Sequence, residues 1–188
     1  MRDVSFIPTE PPTAGDEAAT LVGELERVRR VISWKCGGLD AAGMRARVGS
    51  STMTLAGLLK HLTLVEADVF RRRLDGSPLG PPWDGVDWAG DRDWEWRTAT
   101  TEEPDALRAA WREAVAESRA RLARALAEGG LDQRCRGIVT DEGESPMLRR
   151  VVVDLIEEYA RHAGHADLLR EAVDGVTGED APREGIDV

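Results

Sequence analysis

The sequence predicts an all-α fold, a four-helix bundle, on three observations. Apolar residues recur at three- and four-residue spacing in four long stretches. Capping residues and glycine stops bound those stretches, and no segment alternates polar and apolar residues at period two. The length of 188 residues fits one domain able to bury its own core.

Residues 1–15 contain Pro8, Pro11 and Pro12 and follow neither period, so they read as an extended N-terminal arm ahead of a bundle over 16–175. Asp16 is a ready N-cap for a first helix at 17–36, where Leu21, Leu25, Val28 and Ile32 form the stripe and Gly37 and Gly38 the stop. After a polar connection, Thr52 or Thr54 caps a second helix whose Leu55, Leu58, Leu62, Val65 and Val69 share one face up to Arg73. Residues 75–100 are broken by Gly76, Pro78, Gly80, Pro81, Pro82, Gly85 and Gly90, yet carry Trp83, Trp88, Trp94 and Trp96. Large rings need cover, so this is expected to be an ordered loop packed back over the domain.

The third helix spans 102–128, with Pro104 tolerated in its first turn, Leu107, Trp111, Val115, Leu122 and Leu126 as its stripe, and Gly129 and Gly130 as its stop. Ser145 and Pro146 read as cap and first helical residue of a fourth helix that runs to about Val173, with Gly175 as its stop. The acidic tail, 176–188, is expected to be mobile. The long connection between helices two and three can cross the bundle end and let those two helices run parallel.

Charge narrows the partners. With 35 acidic against 25 basic residues the net charge is −10, which repels a phosphate backbone and an anionic membrane surface. Neither nucleic acid nor membrane is expected as a partner, and no apolar run approaches the roughly 20 residues of a membrane helix. The N-terminus lacks the basic-then-apolar pattern of a secretory signal, and two distant cysteines imply no disulfide framework. The expected location is cytoplasmic.

Histidine is the scarce residue: only His61, His162 and His165 occur. Projected at about 100° per residue, Leu148, Val152, Leu155, Tyr159 and Ala166 centre the apolar stripe of the fourth helix, and Glu158, His162 and His165 fall in an arc of roughly 60° along its border. His61 borders the buried face of the second helix in the same way. Packing the two faces together brings imidazoles and a carboxylate toward one point, a donor set that suits a divalent first-row ion. The competing reading is that each histidine is a hydrogen-bonded boundary residue.

Other candidates have two readings each. Cys36 and Cys135 are nucleophiles or small core residues. Tyr159 is a proton donor near a metal or a core ring with a satisfied hydroxyl. The tryptophans of 83–96 roof a pocket or simply pack the connection. Arg161 and Arg170 bind an anionic ligand or pair with Glu157, Glu158, Asp167 or Glu171.

Two motifs carry a family resemblance. The run from Glu157 through Glu158, Tyr159, Arg161, His162 and His165 to Asp167, continuing to Glu171, resembles the last-helix signature of the DinB-like superfamily. Leu58 to Leu62 around His61, on through Val65, Glu66, Phe70 and Arg71, is similar to its first histidine motif, and Trp34 to Leu39 to its usual end of helix one. The likeness is to an actinobacterial subfamily related to thiol-dependent S-transferases. It implies an up-down-down-up bundle, often a homodimer, with a metal held by one histidine of helix two and two ligands of the last helix. Carried over residue by residue, His61 and His162 are ligands. The third position is Glu158, where many members have histidine, with His165 as the competitor or as a proton carrier just outside.

The resemblance further implies a divalent transition metal, Zn or Ni foremost, that acidifies a low-molecular-weight thiol such as mycothiol or bacillithiol for transfer, conjugation or isomerisation. Another branch of the superfamily is the metal-binding region of sulfur-transferring ergothioneine-synthesis enzymes. Lys35 and Lys60 are the only lysines among the 25 basic residues, an arginine bias expected of a GC-rich genome and consistent with a mycothiol-using host. The leading expectation is therefore a metal-dependent mycothiol-type S-transferase acting on a small electrophile. The alternatives are a non-catalytic metal- or ligand-binding stress-response protein and a purely structural bundle.

Overall fold

The computed structural model describes residues 10–182 and 188; most of the expected N-terminal arm and residues 183–187 of the tail lie outside the described residues. Helix α1 spans Glu17–Cys36, and the Asp16 carboxylate accepts from the Ala19 amide, satisfying one of the orphan donors of the first turn. A short helix that no apolar period announces, α2 (Ala41–Met44), follows, capped by Asp40 and anchored by buried Met44. Helix α3 covers Leu55–Ala67, and of its two candidate caps Thr54 is the one that accepts from an amide, that of Gly57.

Past Ala67 the chain does not continue as an α-helix to Arg73 but widens into a π-helical stretch, Asp68–Asp75, ended by Gly76 in the left-handed region. Val69, Phe70 and Leu74 stay buried through it. Its last carbonyls are satisfied from outside, since the amides of Arg136 and Gly137 donate to Leu74 and Arg73 at 2.9 Å. This approach requires glycine, because a Cβ on Gly137 would lie 1.6 Å from the Arg72 carbonyl oxygen.

The tryptophan-rich connection packs back on the domain and is more structured than a loop. It holds a 3₁₀ turn at Trp83–Gly85 and helix α4, Trp94–Thr98. The rings of Trp83, Trp88 and Trp94 meet one another, with centroids 5.7–6.5 Å apart. Helix α5, Pro104–Glu128, starts with proline at its first turn and buries Leu107, Trp111, Val115 and Leu122. Ser118 and Ala125 share that face, while Leu126 is only partly covered.

Helix α6 spans Leu148–Asp174. It begins later than Ser145 and Pro146 suggest. An antiparallel bridge that pairs Met147 with Arg134 takes up the chain there: the Cys135 amide donates to the Pro146 carbonyl at 2.8 Å, and the Leu148 amide to Gln133 at 2.7 Å. Backbone engaged this way is extended, and Met147 has extended dihedrals at the N-cap position. Gly175, in the left-handed region, ends α6 as expected.

Helix α1 packs chiefly on α6, and α3 on α5. Glu17 pairs with Arg149 near the starts of α1 and α6, and Lys35 with Asp167 toward their ends, so these two run in the same sense. Contacts in ascending order, Arg71 to Glu117 and Asp75 to Arg121, do the same for the α3 extension and α5. Helix α1 opposes α5, with Glu26 against Arg119 and Cys36 against Arg108. Beyond α6 the chain turns along α1, where Lys35 and Arg30 donate to the carbonyls of Gly178 and Pro182. No helix among the described residues is long and apolar enough to cross a membrane.

The core is not wholly apolar. Arg29 and Glu66, both 0% exposed, form a two-point ion pair between α1 and α3 at 2.6 and 2.9 Å. Arg29 also donates to Glu26, which Arg119 of α5 reaches from the other side. Glu66 accepts the Tyr159 hydroxyl at 2.6 Å, and that hydroxyl accepts from the Trp111 indole at 3.0 Å. All four long helices are tied by this network.

Candidate metal centre

His61 lies on the side of α3 that faces α6, where Glu158 and His162, four residues apart, share one helical face. Nε2 of His61 and Nε2 of His162 are each 3.1 Å from the same Glu158 oxygen, Oε1. One ligand atom from each of the three residues falls within 4.8 Å of the others. His165 stands outside this group: its Nδ1 is 3.3 Å from Nδ1 of His162, on the far side of that ring.

The donor chemistry fits a divalent transition ion. Two imidazoles and a carboxylate converge from two helices, a set suited to Zn and its neighbours, with three protein ligands leaving coordination positions for other molecules. Electrostatics favour the forms that ligation needs. Burial alone would raise the Glu158 carboxyl, but the two histidines beside it, His61 and His162, outweigh burial and hold the group below its ordinary value. Burial, reinforced by neighbouring His61, pushes His162 below its ordinary value, so the ring stays neutral.

Two residues of α4 adjoin His61: Trp96, one of the tryptophans expected to roof a pocket or pack the connection, and Glu95, which the sequence does not single out. Glu95 is 5% exposed, with Oε1 3.3 Å from Nδ1 of His61 and a buried Oε2 that has no partner among the described residues. The Trp96 ring stacks on the His61 imidazole at 4.9 Å and 23°. Glu95 has no signal in the sequence, since α4 is too short to show a period.

A groove of about 900 Å³ between the α3 extension and α6 ends on His61 and Glu158. Trp88 and Leu79 cover part of it, and Arg72, Arg73, Arg150 and Arg161 line it with Asp68, Asp154 and Glu157. A second cavity, about 360 Å³, lies between α3 and α5 under Trp83 and Trp94 and does not reach the three ligands. The tryptophans thus split between the readings offered for them: Trp88 borders the groove, Trp83 and Trp94 roof the other cavity, and Trp96 contacts a site residue.

Cys36, Cys135, Tyr159 and Arg170 resolve to structure, whereas Arg161 also lines the groove. Cys36 and Cys135 are buried; burial pushes the Cys36 thiol up to about 12 and raises that of Cys135. Tyr159 is fully buried with its hydroxyl in the core network, and burial together with Glu66 raises its pKa far above the usual phenol range. Arg161 pairs with Glu157 on the helix surface. Arg170 pairs with Asp174 and donates to the carbonyls of Trp34, Lys35 and Gly37, so it closes the C-terminus of α1.

Comparison with known proteins bears on the fold and the family. The solved structure of a mycothiol-dependent maleylpyruvate isomerase superposes with a TM-score of 0.55 over 86% of this chain and 64% of its own length, at 18% identity. This chain therefore spans less than two thirds of that protein, and the likeness is one of fold. None of the curated proteins matches the sequence. Residues 20–175 match the profile of the mycothiol-S-transferase family, a span that includes His61, Glu158 and His162 and most of the chain. On that match, the chain belongs to the mycothiol-S-transferase family.

Proposed function

We propose that the protein is a metal-dependent S-transferase that joins a low-molecular-weight thiol, mycothiol, to a small electrophile. The observation that carries this reading is the convergence of His61, Glu158 and His162, of which His61 and Glu158 line a groove of about 900 Å³. His61, Glu158 and His162 would hold the ion, Zn or Ni in first place. When bound, that ion supplies the Lewis acidity that makes a thiol ionise near neutral pH.

The chain's own residues provide the rest. Lowered pKa values keep Glu158 ionised and His162 neutral at physiological pH, so neither must lose a proton to become a ligand. The groove holds the thiol and the electrophile side by side, which converts their encounter into a step within one complex. The new bond joins the thiol sulfur to the electrophilic carbon as an epoxide C–O bond, an alkene π bond or an aryl–halogen bond breaks; the thiol proton passes to solvent, which returns one to the opened epoxide oxygen or the alkene carbon, while a halide leaves as the anion. Buried Cys36 and Cys135, with raised pKa values, cannot serve as the nucleophile, which leaves the external thiol in that role.

Protein prepared without a polyhistidine tag should carry a divalent transition metal and should conjugate mycothiol to at least one member of a panel holding an epoxide, an activated alkene and an aryl halide. H61A and H162A should lose both metal and turnover. Metal retained without turnover on any member would instead favour the non-catalytic binding reading, and no metal with no effect of either substitution would overturn the site altogether.

A further inference from the structure

We propose that Glu95 is a positioning residue for His61: it accepts the imidazole proton at Nδ1 and so turns the Nε2 lone pair toward Glu158 and His162. The inference rests on the metal reading above.

A neutral imidazole carries one N–H, and His61 has a carboxylate at each ring nitrogen, Glu95 at Nδ1 and Glu158 at Nε2. The two carboxylates differ in what else can satisfy them. The Glu158 side chain is 30% exposed and also faces His162, so water and a second ring share its charge. Glu95 is buried, its Oε2 has no partner among the described residues, and His61 is the partner of its Oε1. A buried carboxylate oxygen left without a donor is costly, because burial strips it of water and nothing replaces the lost hydrogen bond. The single proton therefore stabilises the molecule most on the Glu95 side. That leaves Nε2 free as a ligand, the same division of labour by which an outer carboxylate orients a metal-binding histidine.

The surrounding packing holds the ring in that pose. Trp96 stacks on one face of it, and Gly57 on α3 makes the approach possible, because a Cβ there would lie 2.6 Å from Trp96 Cε3. Helix α4 is itself pinned to α3. Lys60 donates to the Thr98 hydroxyl at 2.6 Å, pairs with Glu102, and sets its ammonium 4.2 Å above the Trp94 ring. The tryptophan-rich connection thus delivers a carboxylate to an otherwise two-helix site.

Zinc affinity, read by competition with a chelator, and the ¹⁵N and ¹H resonances of the His61 ring in the zinc-loaded protein test this together. Wild-type His61 should be protonated at Nδ1 with that proton protected from exchange. E95A should bind zinc about 10- to 100-fold more weakly and lose the protected proton, while E95Q, whose side-chain carbonyl can still accept it, should restore the proton and most of the affinity. Wild-type zinc affinity in E95A, with H61A impaired, would overturn the role of Glu95 and leave the metal site standing; so would an Nε2-protonated His61 in the zinc-loaded wild type. Equal zinc binding by wild type and H61A would remove the metal site, and this inference with it. Should E95A fail to fold, the position of the wild-type ring proton and the E95Q affinity decide the matter.

Discussion

Arg29 has no access to solvent, and its charge is tolerated because Glu66 meets it at two points and Glu26 at a third. Removing one partner of such a cluster strands the other without water. Glu66→Ala should therefore destabilise the fold by about 3–5 kcal/mol, measured by urea unfolding, far more than loss of an exposed pair such as Arg150 with Asp154. Glu26 makes the network sensitive to pH. Burial alone would raise its carboxyl, yet Arg119 and Arg29 outweigh that and hold it below its ordinary value. A lowered native pKa contributes stability that is complete above the unfolded value and is lost as pH falls through the folded one. The stability difference between wild type and Glu26→Gln should thus be largest near neutral pH and shrink below about pH 4.

Part of this network is legible in the sequence. Arg29 follows Leu25 by four residues and precedes Ile32 by three, and Glu66 sits four residues from both Leu62 and Phe70, so both project onto buried faces where a charge demands a partner. His61, Glu158 and His162 are legible for the same geometric reason. Choosing between Glu158 and His165 is not, because their positions on α6 differ by an amount that only the packing of α3 against α6 resolves. Glu95 is wholly hidden, since it reaches His61 from a segment with no period to project.

At the scale of elements, helix starts are well marked where a side chain caps them and poorly marked where backbone outside the helix intervenes. Asp16 and Thr54 accept from amides of the first turn, and Thr54→Ala should cost about 1 kcal/mol in thermal or urea unfolding. Ser145 and Pro146 carry the same signals, but the bridge between Met147 and Arg134 engages the Pro146 carbonyl and the Leu148 amide first. The π-helical stretch after α3 is equally invisible in sequence, because its carbonyls are satisfied by residues far along the chain, at 136 and 137. Gly137→Ala should therefore destabilise this end of the bundle by more than the usual cost of a surface change, with the Cβ driven against the Arg72 carbonyl. The same substitution at Gly143, where a Cβ meets nothing but φ is +81°, tests conformational strain alone.

For the whole molecule, four amphipathic stretches with their stops suffice to specify an all-α bundle, and the charge of −10 is spread over a surface dense in arginine–carboxylate pairs. The site belongs to this scale because no single element contains it: α3 brings one imidazole, α6 the carboxylate and the second imidazole, and the connection through α4 brings Glu95. The reading of the protein as a thiol-dependent S-transferase makes metal and thiol binding interdependent. Mycothiol titrated calorimetrically into metal-free and zinc-loaded protein tests that most directly. The zinc-loaded form should bind at least tenfold more tightly, with proton release, and the difference should vanish in His162→Ala; equal binding to both forms of the wild-type protein would rule out a metal-dependent thiol site.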